Sequence, residues 1–84
     1  AAAWWQQGAV AGDHDAQAMY GAALHLGRGV PPDPVAALAW LLLGRRGGSK
    51  LAASFIPQAL AALSPQQVIE ARRRAQEEMP DTES

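Results

Sequence analysis

Asp13, His14 and Asp15 are consecutive residues of the types that bind divalent metals or pass protons. Neighbouring positions on a helix point about 100° apart, so the three do not converge on one ion. The aspartates also have simpler work, Asp13 as a helix N-cap and Asp15 as an acid in the first turn that follows. His25 stands beside an apolar helical stripe and reads as a partly packed surface residue. A serine nucleophile needs a histidine and an acid within reach, and Ser49, Ser54 and Ser64 have neither at a suitable spacing. Gly27-x-Gly29 lacks the third glycine and the Lys-Ser/Thr pair of a phosphate loop, and no strand precedes it. Arg72, Arg73 and Arg74 are flanked by Glu70, Glu77 and Glu78 and read as a solvated face. Trp4, Trp5 and Trp40 are cage-type residues, but their helical spacing makes them core anchors, with Trp5 the most outward. The sequence predicts no catalytic residue, no metal site and no cofactor.

The elements that carry these residues are helices. Ala1, Trp4, Trp5, Gly8, Ala9 and Gly12 fall on one helical face and predict a first helix over 1–11, stopped at Gly12. A second is expected from His14 to Leu26 with Ala16, Met19, Tyr20, Ala23 and Leu24 inward, and with Gly21 beside that stripe to admit a close neighbour. Gly27 and Gly29 permit the reversal that follows, Asp33 caps the next helix, and Pro34 suits its first position. The third helix runs from about Pro34 to Arg46. Ala37, Trp40, Leu41 and Gly44 form its stripe, and Leu38, Leu42 and Leu43 leave it apolar nearly all round, which means burial on several sides or an exposed sticky face. Arg45 and Arg46 suit its C-terminus, and Gly47 and Gly48 end it. A fourth helix covers 49–63, with Ala52, Phe55, Ile56, Ala59, Leu60 and Leu63 inward and a bend or break expected near 54–57 because of Pro57. Ser64-Pro65-Gln66-Gln67 is a capping box with proline at the first position. It opens a fifth helix to about Glu78 with a narrow stripe of Val68, Ala71, Ala75 and Met79. Glu70 with Arg74, Arg73 with Glu77 and Arg74 with Glu78 are i, i+4 pairs on its wet side. Residues 80–84 are a polar tail.

An 84-residue chain is at most one domain and buries only about 60 to 65% of its unfolded surface. Alanine and leucine dominate, β-branched residues are few, and helix is favoured over sheet. A formal charge of -1 gives no reason to expect nucleic acid or an anionic membrane as partner. The absence of cysteine excludes a disulfide framework and a cysteine-based zinc site. It leaves the compartment open; high alanine and arginine content fits a bacterial source, for which cytoplasm and periplasm are both expected. No apolar run reaches the ~20 residues of a membrane span. The start at Ala-Ala-Ala-Trp-Trp, without an initiator Met, reads as a segment of something longer.

Sliding the chain by 36 residues superposes Ala1 on Ala37, Trp4 on Trp40, Gly8 on Gly44, Gly12 on Gly48, Ala16 on Ala52, Tyr20 on Ile56 and Leu24 on Leu60. A period in the mid-thirties with two helices per unit indicates an α-solenoid. Ala16, Gly21, Leu24, Gly27-Arg28-Gly29-Val30, Asp33, Ala37, Trp40 and Gly48, in this order, resemble the Sel-one-like repeat, a relative of the tetratricopeptide repeat. Tyr20 stands where that family has Leu, Leu24 and Leu41 where it has Tyr, Gly44 where it has Ala, and the usual lysines are absent. The resemblance divides the chain into the end of one repeat (1–12), a full repeat (13–48), a degenerate half repeat (49–63) and a capping helix (64–79).

The expected fold is therefore all-α, an α-α superhelix of antiparallel hairpins with about five helices, the last a C-terminal cap. The resemblance implies a non-catalytic scaffold that holds a protein or peptide on first-helix surfaces. Trp5, Leu38, Leu41 and Leu42 are the candidate partner surface, and the N-terminal helix is a candidate for self-association. The alternative is a purely structural capping segment of a longer array. More distant is a hydrolase or cell-wall-binding role, proposed for a cysteine-rich subgroup that this chain does not resemble.

Overall fold

The computed structural model of the chain describes residues 13–77. The helix expected over 1–11, its stop at Gly12, Trp4 and Trp5, and the tail with Met79 lie outside the described residues. Within them the protein is entirely helical: α1 (His14–Leu26), α2 (Pro34–Arg46), α3 (Lys50–Ala61) and α4 (Pro65–Glu77).

Each helix starts where a side chain satisfies a free amide. Asp13 Oδ1 accepts from the Ala16 N–H at 3.0 Å and Asp33 Oδ1 from the Ala36 N–H at 3.1 Å. Ser49 Oγ accepts from the Ala52 N–H at 3.3 Å. The expected capping box is reciprocal, the Gln67 N–H donating to Ser64 Oγ (3.2 Å) and the Ser64 N–H to Gln67 Oε1 (2.9 Å). α1 stops because Gly27 takes φ 71° and turns its own N–H back to the Ala23 carbonyl. The Arg28 N–H reaches the same carbonyl at 3.0 Å, and the Asp33 N–H returns to the Leu24 carbonyl at 3.1 Å. The loop is thereby folded back against the helix it leaves.

α2 is the central element. It packs against α1, α3 and α4, while α1 also touches α3. That placement resolves the choice left by an all-round apolar helix, because Ala37, Leu38, Ala39, Trp40, Leu41, Leu43 and Gly44 are all buried. Leu38 and Leu41 are the largest fully buried side chains. Around them the core is mostly alanine: Ala18, Ala52, Ala59, Ala71 and Ala75 come from the three surrounding helices. Small side chains let the backbones approach. A Cβ on Gly21 would lie 2.8 Å from Leu41 Cγ and 2.9 Å from the Ala37 carbonyl oxygen, so α1 crosses α2 with no room for a side chain there. Tyr20 meets Trp40 edge to face, with ring centroids 5.4 Å apart and planes at 70°.

Three expectations change. α3 is unbroken through Pro57; Pro57 and Ala53, whose carbonyl it leaves without a helical donor, are both exposed, which leaves that carbonyl on the solvent side of the helix. The buried stripe of α3 is Ala52, Ile56 and Ala59, and Leu60 is exposed rather than inward. α1 buries Gln17, Ala18, Gly21 and Ala22 beside Ala23 and Leu24, whereas Ala16, Met19 and Tyr20 are only half-buried. The reason is that α1 is covered on two flanks, by α2 and by α3. A single-stripe reading captures one flank.

Candidate functional site

The Asp13-His14-Asp15 triplet sits over the turn between α2 and α3, and each member has a structural partner. Asp13 caps α1. Asp15 Oδ1 accepts a 2.9 Å hydrogen bond from Ser49 Oγ, a residue only 5% exposed. His14 Nδ1 lies 3.2 Å from Gln17 Oε1, and its imidazole occupies the space that a Cβ on Gly47 would need. The Ser49 hydroxyl proton therefore goes to a carboxylate while its lone pair caps α3, an order unlike that of a serine activated by histidine. No group of His, Asp and Glu suited to a metal ion occurs among the described residues. The Ser49–Asp15 bond, which ties the start of α3 to the first turn of α1, was missed in the sequence. The spacing signals only the cap, Ser49 lying 36 residues after the cap Asp13, and nothing local points to Asp15 as its acceptor.

Most repeat-motif residues lie in α1, α2 and the loop that joins them, while Gly48 lies in the turn between α2 and α3. Gly27 and Gly29 have positive φ (71° and 77°), Gly48 has φ 96°, and Val30 packs partly buried against the core. Gly21 and Ala37 meet at the helix crossing, Trp40 anchors the same face, and Ala16 lies half-buried one turn into α1. The expected partner surface does not survive as a set. Leu38 and Leu41 are completely buried, because α2 is covered by three helices, and they have no area to offer a partner. Trp5 lies outside the described residues. Leu42 alone is partly exposed.

Leu42 lines an open groove of about 390 Å³ between the C-terminal halves of α2 and α4, together with Arg45, Arg46, Arg72, Ala75 and Gln76. The two faces of α4 divide its arginines. Arg73 Nη2 lies 2.7 Å and Arg74 Nε 3.0 Å from the same Glu70 oxygen. Hydrogen bonds from Arg73 first and Arg74 second hold the Glu70 carboxyl below the usual glutamate range. Arg72 faces the other way, towards Arg45 and Arg46. Among the described residues no carboxylate forms an ion pair with any of these three. The sequence treats residues 72–74 as one solvated run; helical geometry splits the run, because a 100° step sends Arg72 and Arg73 to different sides.

Apolar surface remains elsewhere. Leu26, Leu51, Leu60 and Ile69 are exposed. No helix among the described residues is long and apolar enough to cross a membrane. Comparison with protein-family models, with curated proteins and with solved structures gives no match to this chain.

Proposed function

We propose that the chain is a segment of a Sel-one-like α-α repeat array that acts as a non-catalytic scaffold, holding a protein or peptide partner beside Leu42. The observation that carries this is the position of Leu42, the one half-exposed leucine on a helix whose other leucines are buried, at the floor of an open groove. The ionisable triplet at the start of α1, by contrast, is already engaged in caps and inter-helix hydrogen bonds. Leu42→Glu tests the proposal directly. Peptides selected from a random display library against the protein should lose about tenfold or more in affinity for the variant while its circular dichroism and melting temperature stay unchanged. Equal binding to both proteins would remove the partner surface from this groove.

A second reading, a structural segment whose outer face receives the next unit of a superhelix, is favoured by Leu60. Its equivalent 36 residues earlier, Leu24, is 6% exposed, whereas Leu60 is 42% exposed. Stacked repeats cover such positions with a neighbour. Inserting a second copy of residues 13–48 in tandem should add helical ellipticity in proportion and raise the melting temperature. An inserted unit that stays unfolded would count against the repeat architecture and leave the groove untouched.

A further inference from the structure

Given the scaffold role proposed above, on which this assignment depends, we infer that the groove between α2 and α4 binds an acidic protein segment, in which carboxylates flank an apolar side chain. Arg45 and Arg46 from the last turn of α2 and Arg72 from α4 converge on the groove, and Leu42 and Ala75 supply its apolar floor. All three arginines are exposed, and none is neutralised by a carboxylate among the described residues. The contrast with Arg73 and Arg74, one and two positions on and both paired with Glu70, shows that the helix can neutralise its arginines and leaves this one uncompensated. Three like charges around one depression raise its potential and repel one another until an anion arrives. Guanidinium groups take carboxylates in a planar two-point arrangement, and the leucine floor takes an aliphatic side chain between two such contacts.

The charge distribution selects the partner class. The formal charge of -1 hides a division: all seven basic residues precede Gln76, together with four acids, and the other four acids are Glu77, Glu78, Asp81 and Glu83. A nucleic acid needs basic surface along its length, and this groove offers a single three-arginine patch. A free phosphate would satisfy charge but leave the Leu42 floor unused. A short acidic segment fits both features.

The test is fluorescence anisotropy with the full chain and a labelled six-residue peptide, Glu-Glu-Leu-Glu-Asp-Glu, against its counterpart with every acid replaced by the amide. The acidic peptide should bind at low salt and the amide peptide at least about tenfold more weakly, with the difference shrinking as salt shortens the screening length. Arg45→Gln, Arg46→Gln and Arg72→Gln should each cost about fivefold and the triple variant on the order of a hundredfold, while Arg73→Gln leaves binding unchanged. Equal affinity for the two peptides, an unaffected triple variant, or tighter binding of a single-stranded oligonucleotide would overturn the assignment. Binding seen only after Glu78, Asp81 and Glu83 are changed to Gln would also overturn it, since the chain's own acids would then be the occupant. If display peptides depend on Leu42 but carry no acids, the acidic partner falls and the scaffold role stands. If they ignore Leu42, both fall.

Discussion

α1 and α3 begin alike and end differently. Both are opened by an oxygen that accepts the amide three residues on, Asp13 for Ala16 and Ser49 for Ala52, and these two caps are 36 residues apart. Both bury an alanine at the equivalent later position, Ala23 and Ala59. Two residues earlier they part. α1 has Gly21, pressed against Leu41 and the Ala37 carbonyl of α2, whereas α3 has Pro57, exposed. The same division recurs at Leu24, buried, and Leu60, exposed. The two helices thus share a way of starting and one buried alanine, while the rest of the buried surface of each depends on the elements packed against it. α2 closes tightly on α1; α4 packs on α2 instead of closing on α3 in the same way.

Truncation at the paired leucines tests that difference most strongly. Leu24→Ala should cost about 2–4 kcal/mol, a transfer and cavity loss, and Leu60→Ala less than about 1 kcal/mol. Urea denaturation followed by circular dichroism reads both. Similar costs would mean that α3 is covered as fully as α1 and would break the comparison.

The Gly21 and Pro57 pair should respond with opposite sign. Gly21→Ala places a Cβ against a backbone carbonyl that cannot move aside, for a loss of about 1–3 kcal/mol despite alanine's better helix propensity. Pro57→Ala restores an amide to α3 at an exposed position and should raise stability by about 1 kcal/mol or more. The helix caps follow. Asp13→Ala removes one accepted amide, for about 1 kcal/mol. Ser49→Ala also removes the donor to Asp15 from a buried position and should cost up to about 2 kcal/mol. Equal losses would show that the Ser49–Asp15 bond adds nothing to the cap.

How far the sequence foretold this structure follows from the same residues. Helix limits were legible because they are written in local chemistry: Asp13, Asp33, Ser64 with Gln67, and Gly27 act within four residues of themselves. Coverage was not. Nothing local to Leu38 and Leu41 distinguishes a sticky outer face from a helix enclosed on three sides, and only the docking of α4 on α2 decides it. The repeat match of Leu60 to Leu24 carried an expectation of burial that fails because equivalent positions need not have equivalent neighbours. Of the bend or break expected at Pro57, the break is absent, because Pro57 and Ala53 are exposed and the carbonyl that loses its helical donor lies on the solvent side. In the groove, reading residues 72–74 as one charged run concealed that Arg72 faces Arg45 and Arg46 while its neighbours face Glu70.

The smallest expected effect separates the inner folding of α4 from its docking. Glu70 accepts hydrogen bonds from Arg73 and Arg74 on its own helix, and its folded pKa is lowered. A carboxyl with a lowered folded pKa contributes stability that is present above the unfolded value and is lost as pH falls through the folded one. Because the pairs are exposed and lie within one helix, acidification through that range should loosen α4 locally and leave the alanine contact of Ala71 and Ala75 with the core in place. Carbon-detected NMR titration should place the Glu70 carboxyl below an ordinary glutamate, and Arg73→Gln should move it back up more than any arginine of the groove does. Amide exchange should then rise in the exposed turns of α4 with acid while α1 and α2 remain protected. A simultaneous loss of protection in α1 and α2 would mean that these ion pairs support the docking of α4, and the two ends of the molecule would be coupled after all.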